Sequence, residues 1–261
     1  MSNDTGHWRW SANPLWENYS SLCQEAYLAT QGHNLFIRNH HLKAALYFGI
    51  GSIESFLNET MRREMTSCGA TEDEIYNALR KPGFAEKLKK WPARLAKQDV
   101  SISTDFKELV TYYQDIRNEI THPKRKDHSL YKELDEIKIE EFPALVAEFI
   151  IKVIESRKEI FQYWLLGWNQ LGMNGDFTYA FLSNNYEFVK LLRIFGYDIP
   201  QDATYDEGWQ RANMCTFEHY KDLLAILPKD HCQYETSRFP AMPRFCQKWW
   251  DEEHIRTCGK R

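Results

Sequence analysis

Arginine, asparagine and histidine stand together in the run Arg117-Asn118-Glu119-Ile120-Thr121-His122-Pro123. A guanidinium stays charged at any ordinary pH and matches phosphate oxygens, while histidine is the side chain best suited to moving protons near neutrality. These are the parts needed to break a phosphodiester. His122 would act as general base or general acid, and Arg117 would hold the charge that develops on phosphorus. Asn118 would orient a phosphate or the His122 ring. Lys124, Arg125 and Lys126 follow directly and add a cationic rim.

The element that must position them is a helix. Phe106, Leu109, Val110, Tyr113, Ile116 and Ile120 recur at three- and four-residue steps, the pattern of an amphipathic helix. Pro123 disfavours helical backbone at the residue before it, so the spacing predicts a helix ending at or near His122. Asn118 and His122 then share a face, and Arg117 stacks with Thr121. At roughly 100° per residue, Arg117 and His122 are about 140° apart and can border one cleft. The plainer alternative is a helix end whose basic side chains merely complement the partial negative charge of its last carbonyls.

With a helical bundle before it and a long helix after it, the motif resembles the nuclease motif of the HEPN family (higher eukaryotes and prokaryotes nucleotide-binding). That motif is Arg, a polar residue, about three others, then His. The resemblance covers roughly residues 35–165. It implies an all-α bundle, a homodimer joined across the Arg117–His122 helix, and cleavage of RNA without a metal or other cofactor. It also implies a role as a toxin or phage-defence effector, with an antitoxin or regulatory partner. Some members paired with a nucleotidyltransferase antitoxin carry Tyr two residues after the His. Here that position is Lys124, so that mode of regulation is not carried over.

The rest of the chain supplies the bundle. Residues 15–31 read as one helix and 39–66 as the clearest, with Leu42, Leu46, Ile50, Ile53, Leu57 and Met61 in one stripe. Gly49, Gly51, Ser52 and Ser55 allow a close neighbour on that helix. Glu54 lies within it, read as a solvated or Arg-paired carboxylate, with a supporting role beside Arg117 as the alternative. Thr71 to Glu74 forms a capping box before a short helix to Arg80, and another helix runs from Phe84 to Lys97. Residues 80–97 are strongly basic, and Lys87, Lys89 and Lys90 are the candidate contacts to an RNA backbone. Residues 127–141 read as a polar, acidic connector. A long apolar helix is expected from Phe142 through Trp164.

Together these readings predict an all-α protein. Residues 1–168 form an up-and-down bundle with an N-terminal arm, and 169–261 a smaller, mostly helical region. In that region a helix capped by Gly196 and another around Leu223–Leu227, broken by Pro228, are expected. The formal net charge of −4 gives no global nucleic-acid signature, so contact with RNA must be local. Six cysteines without a framework spacing and the lack of a signal peptide or apolar span fit a cytoplasmic protein without membrane contact. Cys215 with His219, and His254 with Cys258, have zinc-ligand types at four-residue spacing. Their wide separation argues against a zinc site, and none is expected. The competing function is a non-catalytic HEPN-like module that binds RNA or a protein.

Overall fold

The computed structural model describes residues 14–124, 129–162, 165, 189, 192–193, 196–200 and 205–230, with side chains at 206–222 of the last segment. Among them the protein is all-α, an up-and-down helical bundle with a separate, smaller C-terminal helical segment. The helices are α1 (Pro14–Gln31), α2 (Leu35–Ser67), α3 (Glu72–Arg80), α4 (Phe84–Ala96), α5 (Thr104–Thr121), α6 (Ser129–Glu136), α7 (Phe142–Ser156) and α8 (Tyr205–Asp230).

α2 is the spine. Its 33 residues span about 50 Å at 1.5 Å per residue, and α1, α3, α4, α5 and α7 all pack on it. The expected stripe from Leu42 to Met61 is buried throughout. Small residues set the approach of its neighbours: Asn18 of α1 donates to Ser55 Oγ (3.1 Å) beside Gly51, and the Phe142 ring lies against the backbone at Gly49. Phe142 meets Tyr113 of α5 edge-on, and Phe106 of α5 stacks on Phe149 of α7. Aromatic contacts therefore fix α5 between α2 and α7.

Local signals hold where they are self-contained. Thr71 Oγ1 accepts from Glu74 N–H, and the Glu74 carboxylate accepts Thr71 N–H at 2.8 Å, a complete capping box. Gly196 sits at φ +89°, with Gly196 N–H donating to Arg193 O and Tyr197 N–H to Leu192 O, the expected glycine cap.

Four expectations are corrected. α2 starts at Leu35 rather than near 39, because the Asn34 side chain caps it by accepting from Ile37 N–H. The acidic connector holds α6, whose Leu134 is buried; Ile137 and Ile139 just beyond it are buried too, and Arg38 of α2 donates to the carbonyls of Leu134 and Ile137. α7 stops at Ser156, well short of Trp164. Lys158 turns left-handed (φ +56°), Lys158 N–H donates to Glu155 O, and Glu159 N–H donates to Ile154 O. The Arg157 side chain holds that turn by donating to Leu95 O and pairing with Glu64 and Glu159. Phe161, which the apolar pattern assigned to α7, packs instead on Phe217 of α8. Finally, α8 begins at Tyr205 and runs through Pro228 to Asp230. Pro228 supplies no N–H to the carbonyl of Leu224, and the helix ends two residues later. Residues 1–13 and 231–261 lie outside the described residues.

Candidate active site

α5 opens on Ser103, whose side chain accepts from Phe106 N–H at 3.2 Å, and buries Phe106, Val110, Tyr113 and Ile116 on one face. Arg117, Asn118 and His122 occupy its final turn and cap, as the proline signal requires. His122 has left the helix (φ −133°, ψ 74°), and its N–H donates to Asn118 O at 2.8 Å. Thr121 Oγ1 donates to Arg117 O at 2.9 Å. The chain after Pro123 is then tied back: the Glu119 carboxylate accepts Lys124 N–H at 2.7 Å. The motif therefore sits on a pinned helix end. Asn118, His122 and Lys124 are exposed there, and Arg117 is half-buried. Arg125 and Lys126 lie outside the described residues.

The guanidinium of Arg117 is the unusual group. Its Cζ stands 5.9 Å from the centre of the Tyr47 ring of α2. Its Nε is buried and makes no hydrogen bond, and no carboxylate pairs with it among the described residues. Other half-buried arginines of the bundle are satisfied. Arg38 binds two carbonyls, and Arg157 a carbonyl and two carboxylates. A buried donor without an acceptor is costly, and among the described residues the Arg117 Nε is left without one. Tyr113, one turn back on the buried face, is no candidate acid or base: burial, with Glu141 nearby, pushes its hydroxyl up to about 12.

The basic run divides. Lys87 is only 4% exposed. Its ammonium donates to Glu54 Oε1 (3.0 Å) and Asn58 Oδ1 (2.9 Å) and lies against the Trp91 ring. It is therefore withdrawn from any RNA-facing surface, and Glu54 is its partner rather than a support for Arg117. The reason is amphipathicity: Phe84, Leu88, Trp91 and Leu95 bury one face of α4, and Lys87 falls on that face. Lys89 and Lys90 stay exposed, Lys90 pairing with Glu86 one turn away at 2.8 Å.

No group of three or more His, Cys, Asp or Glu able to hold a metal ion exists among the described residues. Cys215 and His219 share a turn of α8, where burial raises the Cys215 thiol and His219 lies against the Tyr197 ring. His254 and Cys258 lie outside the described residues. No described helix is long and apolar enough to cross a membrane.

Sequence reasoning missed Tyr47 and Tyr131. Tyr47 sits off the buried stripe of α2, an aromatic on a polar face, and that misfit was the available signal. Comparison of the chain with protein-family models, with curated proteins and with solved structures finds no match. The functional reading therefore rests on the residues and their geometry.

Proposed function

We propose that the protein is a HEPN-type endoribonuclease that cleaves RNA by attack of the 2′-hydroxyl, acting as a toxin or phage-defence effector. The observation that carries this reading is the half-buried Arg117, whose buried Nε has no acceptor among the described residues, on the same helix end as the exposed His122. In the reaction, one His122 takes the proton from the 2′-hydroxyl while O2′ bonds to phosphorus. Arg117 holds the charge on the phosphorane. The bond to O5′ breaks as a proton is delivered to it, leaving a 2′,3′-cyclic phosphate and a 5′-hydroxyl.

Two proton-transfer groups serve this step best, one on each side of phosphorus, and the motif supplies one. A two-fold axis near the end of α5 would bring a second His122 and Arg117 to the same phosphate, because an isologous interface repeats one patch on both subunits. Bringing cations together opposes that dimer until an anion lies between them. Mixed dimers of wild type with His122→Ala, isolated through two different tags, are expected to fall far below half of wild-type activity. Half activity per mixed dimer would show that each chain carries its own site.

The second reading is a non-catalytic helical module that binds RNA or a protein partner. It is favoured by the exposed rings of Tyr47 and Tyr131 beside the motif helix and α6. Wild type and His122→Ala that are both folded and leave total RNA equally intact would support it.

A further inference from the structure

Beside the motif, α2 carries a second pattern. Phe36, His40, Lys43 and Tyr47 follow one another at four-, three- and four-residue steps, off the buried stripe. Two cations are already seated on aromatic rings along it. Arg117 of α5 lies against Tyr47, and Lys43 Nζ stands 5.0 Å from the ring centre of Tyr131 of α6. Tyr47 is 56% exposed and Tyr131 49%, so each ring has a cation beside it and about half its surface in water. Lys43 and Tyr47 are one turn apart, about 6 Å along the helix. Neither Lys43 nor Arg117 has a carboxylate partner among the described residues.

We propose that Tyr47 and Tyr131 form a stacking platform for two bases of single-stranded RNA, with Lys43 and Arg117 taking the phosphates. This names the substrate class of the same site and rests on the ribonuclease reading of the motif. The chemistry selects unpaired RNA. A base in a duplex has both faces covered by its neighbours, whereas an unpaired base offers a face to an aromatic ring in any sequence. The cations decide against a second copy of this chain as the occupant. A two-fold laid along the stripe itself, rather than at the end of α5, would set Lys43 near its own copy and cover both exposed rings. A polyanion with flat rings satisfies both halves of the pattern.

The test uses the full chain and a hexanucleotide that is 2′-O-methylated throughout, which blocks attack by the 2′-hydroxyl, with 2-aminopurine at its centre. Wild type is expected to quench the probe on binding. Tyr47→Leu and Tyr131→Leu should each weaken binding about tenfold or more and lose the quenching, since a stacked base is worth that much. Tyr47→Phe and Tyr131→Phe should restore both. Annealing the probe to its complement should abolish binding. Unchanged affinity and emission in the Leu variants, with wild type still cutting ordinary RNA, overturns the platform and leaves the ribonuclease reading standing. Equal binding of the duplex overturns it as well. So does a fall from dimer to monomer in the Leu variants with RNA affinity intact, which makes the stripe a self-interface. Quenching that needs both tyrosines, in a protein that cuts no RNA, supports the platform and defeats the ribonuclease reading.

Discussion

A methyl group added at Gly49 tests how the bundle holds α5. An alanine Cβ there would lie 2.1 Å from Cε1 of Phe142, while carbon atoms rest at about 3.5 Å or more. The ring or the helix must then move by the difference, about 1.4 Å. Neither moves freely: Phe142 is fully buried, and its ring meets Tyr113 of α5 edge-on with centroids 4.8 Å apart. Overpacking costs about 1–3 kcal/mol, and displacing a buried phenylalanine outright about 3–5. Replacing glycine by alanine inside a helix returns about 1 kcal/mol. Because the ring must be displaced, the net loss is about 2–4 kcal/mol, or a fall of roughly 4–16 °C in thermal midpoint for a chain of this size.

Gly51 is the internal control. A Cβ there meets only the Asn18 side chain, at 3.3 Å, which can shift by a few tenths of an ångström. Gly51→Ala is therefore expected to be neutral or slightly stabilising. Thermal unfolding followed by circular dichroism reads both variants. Adding Phe142→Leu to Gly49→Ala should recover part of the loss, because the two sites couple through direct contact. A Gly49→Ala protein that melts with wild type or above it would refute the reasoning.

The charges of α4 and the pairing of Glu64 can each be tested. Reversing Lys89 and Lys90 to Glu should weaken RNA binding and flatten its dependence on salt. The logarithmic slope should fall by about 0.7 for each phosphate of a single strand that the protein no longer neutralises. Lys87→Met should lower the thermal midpoint and leave that slope alone, and an unchanged slope in the Lys89/Lys90 variant would make the outer face of α4 a solvated surface. Glu64 pairs with Lys97 at 2.8 Å and Arg157 at 3.4 Å, which holds its carboxyl below the ordinary glutamate value of 4.5, the Lys97 hydrogen bond leading. A lowered folded value means the ionised form stabilises the fold: the contribution is complete above the ordinary value and is lost as pH falls through the folded one. Midpoints measured from pH 6 down to pH 3 should therefore drop more steeply for wild type than for Glu64→Gln, and parallel curves would count against the pairing.

What was legible in the sequence is what a short window determines. The stripe of α2, the Thr71–Glu74 capping box, and the end of α5 at Pro123 each depend on residues within a few turns of one another. The misreadings share the opposite origin. Lys87 looked like a surface cation because its partners Glu54 and Asn58 lie on another helix, 33 and 29 residues away. The apolar run past Ser156 looked like more helix because nothing local shows that Arg157 reaches Leu95 and Glu64, or that Phe161 serves α8. α6 was hidden by acidic residues around Leu134, whose neighbourhood is held by Arg38, 96 residues earlier in the chain. The motif itself was readable as a set of side chains. That Arg117 lies on Tyr47, its Nε without an acceptor among the described residues, required the packing of α5 against α2.

Cleavage by Arg117 and His122 through 2′-hydroxyl attack, as proposed, needs no metal ion. Glu119, the only carboxylate between Asp115 and Asp127, is engaged with the Lys124 backbone, and no acidic cluster able to hold magnesium exists among the described residues. The most direct measurement is the chemistry of the RNA ends made by the purified full chain in excess EDTA, with His122→Ala and Arg117→Lys alongside. Wild type is expected to leave 2′,3′-cyclic phosphate and 5′-hydroxyl ends, His122→Ala none above background, and Arg117→Lys few. Ends bearing a 5′-phosphate, strict dependence on added magnesium, or equal cleavage by His122→Ala would contradict this mechanism.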